Sequence, residues 1–257
     1  MEKPLKVSTI TGPEWAGCSY FSSLRYPGYS RGDWDGLNLG AHCSDEAADV
    51  AANRALLRQS LPSEPVWLQQ VHGTGVLDAD VYVPSGNEPP QADAAITTQT
   101  NKVLAIMTAD CLPVVVYDSL GGVLGAAHAG WRGLASGVLE RMVDQMRSKT
   151  TTQGPLYAWV GPAISQQHFE VGAEVREAFL DNNAHYGMYF VPAVNAGKYF
   201  ADLPGIARHR LHQHCDGNIA VALSGECSYE RTDRYYSYRR QASTGRLVTV
   251  AWLQSQA

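Results

Sequence analysis

Residues 123–133, VLGAAHAGWRG, indicate an α/β fold, because they join a strand, a turn and a helix start without a break. The first five residues are apolar and small, which is typical of a buried strand. After His128, a glycine-rich turn leads into a stretch with apolar residues at helical spacing, from about residue 134 to 146. The order places His128 at a strand end near a helix N-terminus, an edge that commonly binds ligands in α/β proteins.

Strand-like and helix-like segments alternate along the rest of the chain. Period-2 or continuous apolar runs predict strands at 66–70, 75–82, 103–107, 114–117, 157–160 and 219–223, and a terminal hairpin formed by 235–239 and 247–252. Helical spacing predicts helices at about 45–61, 171–180 and 201–214. Because no linker separates these segments, we expect one α/β domain over residues 1–257, built on a mixed sheet with helices on both faces.

The composition excludes several classes of protein. A net charge of −5 argues against a nucleic-acid-binding protein, which would usually carry a basic face. No apolar run is long enough to cross a bilayer, and the N-terminus lacks the hydrophobic segment of a signal peptide. The five cysteines are widely spaced and include no Cys-x-x-Cys pair, so we expect no disulfide framework and a reducing, cytoplasmic location.

One cysteine and two histidines each end a strand-like run. Cys111 lies in MTADCLP (107–113), and His72 lies in QVHG (70–73), upstream of His128. If the three side chains converge at a sheet edge, they form one of two sites. A thiolate and two imidazoles suit Zn²⁺, or copper, with an open position for water or substrate. Alternatively, Cys111 is a nucleophile with His128 as its base, and Asp110 or Asp93 orients a histidine.

Arginine and histidine patterns supply further candidates. Arg132 follows His128 in a turn whose glycines allow a ligand to approach the backbone, so we expect it to bind an anion. Three histidines, His209, His212 and His214, crowd one predicted helix. His212 and His214 would point about 200° apart on that helix, so we expect a helix surface there and no metal site.

The chain resembles the YfiH-like family, also called the laccase-domain or polyphenol oxidase family. The likeness covers nearly the whole chain. It is carried by LNLGAH (37–42), QVHG (70–73), ADA (92–94), TADCLP (108–113), HAGWRG (128–133), VGPA (160–163), FEVG (169–172) and YSYRR (236–240). Where many relatives carry glycine and often cysteine, this chain has SQQH (165–168), so His168 either adds a ligand or lines the pocket.

The resemblance implies a fold, a metal and an activity. The fold is a single-domain, three-layer α/β/α sandwich on a mixed sheet, with one zinc ion bound by His72, Cys111 and His128. Similar proteins split adenosine, inosine, guanosine or methylthioadenosine with phosphate, and some deaminate adenosine. Bacterial relatives are also linked to editing of a peptidoglycan precursor, and an older label is copper-dependent laccase.

We therefore expect a zinc-dependent purine nucleoside phosphorylase with adenosine deaminase activity, acting on small molecules as a monomer or homodimer. The expected catalytic residues are His72, Cys111, His128 and Asp110, and the expected substrate contacts are Arg25, Asn38, His42 and Arg132. Three alternatives remain: an amidase acting on a peptidoglycan precursor with Cys111 as nucleophile, a copper laccase, and a binding module with structural zinc. A four-copper set needs roughly ten histidines, whereas the chain has eight, and structural zinc is usually closed by four protein ligands.

Overall fold

The computed structural model describes residues 5–84 and 88–255. The helices are α1 (Ala47–Arg58), α2 (Trp131–Ala135), α3 (Val138–Ser148), α4 (Ala173–Leu180) and α5 (Leu203–His214). The strands are β1 (Thr9–Ile10), β2 (Cys18–Ser23), β3 (Pro65–Val66), β4 (Val76–Asp78), β5 (Ala94–Thr97), β6 (Val103–Thr108), β7 (Leu112–Asp118), β8 (Val123–Ala129), β9 (Leu156–Val160), β10 (Glu170–Gly172), β11 (Phe190–Pro192), β12 (Lys198–Ala201), β13 (Ile219–Leu223) and β14 (Leu247–Leu253).

These strands form two large sheets and a small one. The six-stranded sheet has the order β13-β9-β7-β8-β5-β4, and the five-stranded sheet has the order β1-β2-β14-β6-β3. Both are mixed: the six-stranded sheet has a parallel pair at each edge, the five-stranded sheet has one parallel pair, β3–β6, and the remaining pairs are antiparallel. The third sheet, β10-β12-β11, has three strands.

The two large sheets pack face to face, and the side-chain alternation along β7 shows this directly. Val115 and Tyr117 lie in a core shared with Ile106 of β6 and Ala251 of β14, in the five-stranded sheet. Val114 and Val116 point the other way, into the core that contains the helices. Because a strand presents successive side chains to opposite faces, a strand buried on both sides has apolar residues at successive positions, as β7 does from Leu112 to Val116.

Helices cover the two outer faces. Helices α3 and α5 pack on the six-stranded sheet, α4 packs on the small third sheet beside them, and α1 packs on the five-stranded sheet. The predicted α/β class, with helices on both faces of mixed β-structure, is confirmed. The centre contains two sheets rather than one, so the layers run helix, sheet, sheet, helix. None of the helices in the described part of the chain has the length and hydropathy needed to span a membrane.

Two local predictions are wrong. The helix expected at 134–146 is divided into α2 and α3, because Gly137 has a φ of +89°, a left-handed conformation that a helix interior does not contain. Segment 235–239 forms no hairpin with 247–252. Tyr235 and Tyr236 are fully buried in a loop, and β14 instead pairs with β2 and β6.

Candidate metal centre and its cavity

Strand register in the six-stranded sheet brings distant residues to one edge. In the β7–β8 pair, Pro113 lies opposite His128 and Leu112 lies opposite Ala129. Cys111, directly before β7, is therefore a neighbour of Gly130, directly after β8. In the β5–β8 pair, Ala94 lies opposite Ala127, and the amide of His128 donates to the carbonyl of Asp93 at 2.7 Å.

His72 completes a cluster of three potential metal ligands at this edge. The Sγ of Cys111 lies 3.9 Å from the Nε2 of His72, and the rings of His72 and His128 lie 4.8 Å apart at 84°. One ligand atom from each residue lies within 4.8 Å of the other two. Zinc binds nitrogen and sulfur at about 2.0–2.3 Å, so this spacing makes the three residues a candidate metal site. The structure thus brings together the three residues that the sequence placed at strand ends.

The backbone leaves room beside the cluster at Gly130. A Cβ atom placed on Gly130 would lie 2.8 Å from the Cδ2 of His72 and 3.1 Å from the Sγ of Cys111. Both distances are shorter than ordinary van der Waals contact, so a side chain here would push the donors away. The nitrogen and sulfur donor set and this opening both fit a metal of the zinc class.

The buried carboxylate of Asp93 holds two of the three donors in place. Its oxygens accept hydrogen bonds from three successive backbone amides, those of Val71, His72 and Gly73, at 2.7–3.2 Å. The same carboxylate lies 2.9 Å from the Nδ1 of His128, so the Nε2 of His128 is left for a metal. His72 has a φ of +60°, a backbone conformation that the amide contacts stabilise.

Opposite charges stabilise each other in this cluster. Burial alone would raise the pKa of the Cys111 thiol, but His128 and His72 lower that pKa to about 6. Burial alone would lower the pKa of His128, but Cys111 and Asp93 raise it to about 9. A thiolate is the form of cysteine that binds metal or attacks an electrophile. Both chemical interpretations of Cys111 therefore have the reactive species available near neutral pH.

The cluster opens into a cavity of about 970 Å³. Four arginines line it, and each guanidinium lies over an aromatic ring that also lines it. The four ring distances are 4.0 Å for Arg54 over Trp67, 4.3 Å for Arg132 over Trp131, 4.9 Å for Arg239 over Phe169 and 5.9 Å for Arg246 over Tyr238. The cavity thus offers fixed cations for an anion and flat rings for an aromatic group.

Positive charge concentrates around His42. Burial, and then the neighbouring charges of Arg246 and Arg54, lower the pKa of His42. Backbone carbonyls orient both arginines: Arg54 donates to Leu39 at 3.0 Å, and Arg246 donates to Thr244 at 2.9 Å. In a chain with a net charge of −5, this cationic wall is a local feature suited to phosphate or carboxylate.

The structure places two of the four predicted substrate contacts in the cavity. His42 and Arg132 line it, but Arg25 and Asn38 do not. Arg25 donates to the carbonyls of Asp35 and Thr232. Asn38 is fully buried, where its side chain accepts hydrogen bonds from the amides of Gly40 and Arg246. We correct both assignments, because these side chains hold loops together.

Asp110 lines the cavity but is bound elsewhere. Its carboxylate accepts hydrogen bonds from the hydroxyls of Ser228 and Ser237 and from the amide of Arg239, at 2.6–3.0 Å. The carboxylate that orients a histidine is that of Asp93. We therefore reassign Asp110 from catalysis to holding the loop that precedes Cys111.

Much of the cavity wall could not be predicted from the sequence. Nothing distinguished Arg54 from the other arginines. Arg246 follows a segment that was predicted to be a hairpin turn, and the structure has no hairpin there. Tyr238 and Arg239 lie in the YSYRR motif, and Phe169 lies in the FEVG motif, so those two motifs were the available signal. Gln70, also in a motif, pairs its side-chain amide with the backbone of Met107 and so ties the His72 turn to β6.

The other histidines behave as two separate groups. The three on α5 have separate surroundings: His209 contacts the hydroxyl of Tyr189, His212 is exposed, and His214 pairs with Asp144. His168 lies outside the cavity lining, so it does not add to the first cluster. It lies instead beside Cys227 and Glu230.

Comparison with known proteins places this geometry in a family. A family model described as "Multi-copper polyphenol oxidoreductase laccase" matches residues 19–254. The chain belongs to this family. A solved structure of a Neisseria meningitidis protein, NMB0706 of family DUF152, superposes with a TM-score of 0.86 at 35% identity, covering 97% of this chain and 100% of that one.

Curated relatives of this laccase-like family carry an enzyme's name. The chain is 45% identical to "Purine nucleoside phosphorylase PA4543" of Pseudomonas aeruginosa, over 90% of this chain and 92% of the relative. It is 41% identical to "Purine nucleoside phosphorylase YfiH" of Escherichia coli, over 96% of this chain and 100% of the relative. The resemblance to YfiH-like proteins is thereby confirmed, and these relatives support an enzymatic role.

Proposed function

We propose that the chain is a zinc-dependent purine nucleoside phosphorylase that also deaminates adenosine. One observation carries the proposal: the cluster of His72, Cys111 and His128 opens into a cavity lined by arginine–aromatic pairs. The cationic side chains suit phosphate, the rings suit a purine, and the cluster suits a metal ion. The names of the curated relatives make nucleosides the first substrates to test.

Phosphorolysis would use the cavity as follows. The bond between C1′ of the ribose and the purine nitrogen breaks, a phosphate oxygen bonds to C1′, and the base leaves and takes a proton. Arg54, Arg246 and Arg132 would bind the phosphate through charged hydrogen bonds, which are stronger than neutral ones. Trp67 and Tyr238 would stack on the purine. We propose these as the anion and base contacts, in place of Arg25 and Asn38.

The metal ligands would contribute a second function to the same cavity. Zinc, when bound by these three side chains, supplies a Lewis acid with one free coordination position. Asp93 would keep His128 in the tautomer that binds metal. Deamination adds water at C6 of the purine and releases ammonia, so it requires the base to enter the cavity with C6 toward the cluster.

Two alternatives make different demands on the site. A four-copper laccase needs roughly ten histidines, whereas the chain has eight and the cluster uses two. An amidase acting on a peptidoglycan precursor would need Cys111 as a free nucleophile, and bound metal would inhibit it. Zinc that activates the enzyme therefore favours the phosphorylase, and zinc that inhibits it favours the amidase.

The experiment is an assay of zinc-loaded protein with inosine and adenosine, with and without phosphate. We expect ribose 1-phosphate and free base only when phosphate is present, and inosine from adenosine in either case. Arg54→Lys should raise the KM for phosphate about tenfold, because lysine lacks the planar fork that stacks on Trp67. Arg58→Lys, which alters an exposed pair with Glu64, is the matched control and should leave the KM unchanged. A zinc-loaded enzyme that releases no ribose 1-phosphate overturns the proposal.

The cysteines support the proposed cytoplasmic location. All five are free in the structure, and free thiols persist in a reducing compartment. For the assembly we retain the proposal of a monomer or homodimer, which sedimentation of the purified protein would test.

A further inference from the structure

A second cluster of potential metal ligands lies away from the cavity. It consists of His168, Cys227 and Glu230, and one donor atom from each lies within 4.8 Å of the other two. The Nε2 of His168 is 2.7 Å from the Oε1 of Glu230. None of these three residues lines the cavity. The function proposed above does not use them.

Backbone pairing fixes the geometry of this second cluster. Ala163 forms a parallel bridge with Cys227, which sets the turn at 165–168 beside the segment that begins at 227. The ring of His168 stacks on Tyr229 at 4.6 Å and 18°. The imidazole is therefore held in place before any ion binds. Glu230 follows Cys227 by three residues, on the same turn.

The sulfur of Cys227 lies in polar surroundings, although the residue is buried. The amide of Ser165 donates a hydrogen bond to this sulfur at 3.4 Å. The hydroxyl of Ser165 is itself buried, with no hydrogen-bond partner in the described structure. The amide thus holds the sulfur beside the turn at 165–168.

A comparison within the molecule shows what is special about this cluster. His214 and Asp144 form an ion pair with the same 2.7 Å distance and similar exposure of the histidine, 26% against 28% for His168. Among the described residues, no third donor joins that pair. The sulfur of Cys227 therefore distinguishes the second cluster from an ordinary surface ion pair.

We propose that His168, Cys227 and Glu230 bind a second divalent ion of the zinc class. Imidazole nitrogen, thiolate sulfur and carboxylate oxygen are all zinc ligands, and thiolate excludes magnesium and calcium as the preferred ions. Bound metal would join the turn at 165–168 to the segment that begins at 227. Ser228, the next residue, donates to Asp110, which precedes Cys111 in the first cluster. The second ion would thus stabilise the loop that carries a ligand of the first.

Cobalt(II) titration of a Cys111→Ser variant tests this proposal. Serine at position 111 removes sulfur from the first cluster, so a thiolate-to-cobalt absorption band in the near ultraviolet must come from another cysteine. We expect this band to saturate at about one equivalent of cobalt. The band should disappear when Cys227→Ser is added. When Glu230→Gln is added instead, the affinity for cobalt measured from the band should fall at least tenfold.

The control is His214→Ala in the same Cys111→Ser background, which should leave the band unchanged. Because Glu230 is half exposed, Glu230→Gln should fold even if Cys227→Ser does not. Absence of the band in Cys111→Ser overturns the proposal. So does a band that persists in Cys227→Ser, or one that is insensitive to Glu230→Gln.

Discussion

At the scale of single residues, Asp93 matters most to the proposed metal centre. Its carboxylate binds the backbone on both sides of His72 and the imidazole of His128. Hydrogen bonds behind metal ligands fix their orientation and raise their basicity, and loss of such a bond typically costs 10–100-fold in metal affinity. Two ligands that are far apart in sequence therefore depend on one buried side chain.

Asp93→Asn tests this dependence. Asparagine has one acceptor oxygen and no charge, so it cannot serve three amides and an imidazole together. We expect zinc affinity to fall about 10–100-fold, as measured by competition with a chromogenic chelator. Asp118→Asn is the control, because buried Asp118 also accepts backbone amides, but at the far end of β7. Equal affinity in wild type and Asp93→Asn would show that Asp93 does not position the ligands.

The three candidate ligands could be predicted from the sequence, but the carboxylate that supports them could not. His72, Cys111 and His128 were accessible because each ends an apolar run, and the ends of adjacent strands meet at a sheet edge. Asp93 and Asp110 could not be separated, because each is an aspartate beside a strand. Only the fold shows that one contacts His128 while the other contacts Ser228 and Ser237.

At the scale of elements, the junction between β8 and α2 shapes the metal centre. The strand ends at Ala129, the helix begins at Trp131, and Gly130 between them lies against two ligands. The side chains on each side of the junction serve different parts of the site, since His128 faces Asp93 and Arg132 lines the cavity. A glycine is required here because of close approach and not because of backbone dihedrals, since its φ is −66°.

Gly130→Ala should therefore damage metal binding more than folding. The added methyl group would overlap His72 and Cys111, so we expect at least a tenfold loss of zinc affinity. Gly75→Ala is a matched control, since its Cβ would meet Ala92 at an ordinary 3.6 Å. Chelator competition measures the affinity, and thermal unfolding of the metal-free proteins measures stability. Unchanged affinity in Gly130→Ala would mean that the ligands do not converge as described.

The spacing of apolar residues predicted the presence of helices and strands better than it predicted where they begin and end. The amphipathic pattern of α3 continues back to Leu134, so the pattern alone could not show the break that Gly137 makes. The loop containing Tyr235 and Tyr236 resembles a strand because its aromatic residues are buried, yet it is buried without pairing.

For the whole molecule, the sequence did not show that the strands form two stacked sheets, because the central strands are buried on both faces. Strands β6, β7 and β8 are apolar on both faces. That pattern fits a single sheet between helices as well as two stacked sheets. The cavity wall was equally hidden, because Arg54 and Arg246 come from opposite ends of the chain and meet only in the fold.

Acid should lower the free energy of unfolding through Asp80. Its carboxylate contacts Thr97 at the end of β5 and Lys149, the residue after α3. Burial alone would raise the pKa of Asp80, but hydrogen bonds from Thr97, Thr98 and Lys149 lower it to about 2. A carboxyl whose pKa is lower in the folded state stabilises that state above its unfolded pKa, near 4, and loses this contribution as the pH falls toward 2.

We expect Asp80→Asn to lower the free energy of unfolding by about 1–2 kcal/mol at pH 7. The difference from wild type should shrink as the pH falls from about 4 toward 2. Urea unfolding at a series of pH values measures this difference in the free energy of unfolding. Asp181→Asn is the control, because Asp181 is exposed after α4. A difference between Asp80→Asn and wild type that stays constant down to pH 2.5 would contradict this assignment.

The zinc content of purified protein tests whether His72, Cys111 and His128 bind a metal ion. Wild type is compared with His72→Ala, Cys111→Ala, His128→Ala and, as a control, His168→Ala. Each protein is first dialysed against a chelator chosen to remove zinc from the second cluster, in which a carboxylate replaces one of the two imidazoles of the first. We expect about one zinc per chain in wild type and in His168→Ala, and less than about a tenth of that in the other three variants. Wild-type zinc content in folded His72→Ala, Cys111→Ala and His128→Ala would contradict this expectation.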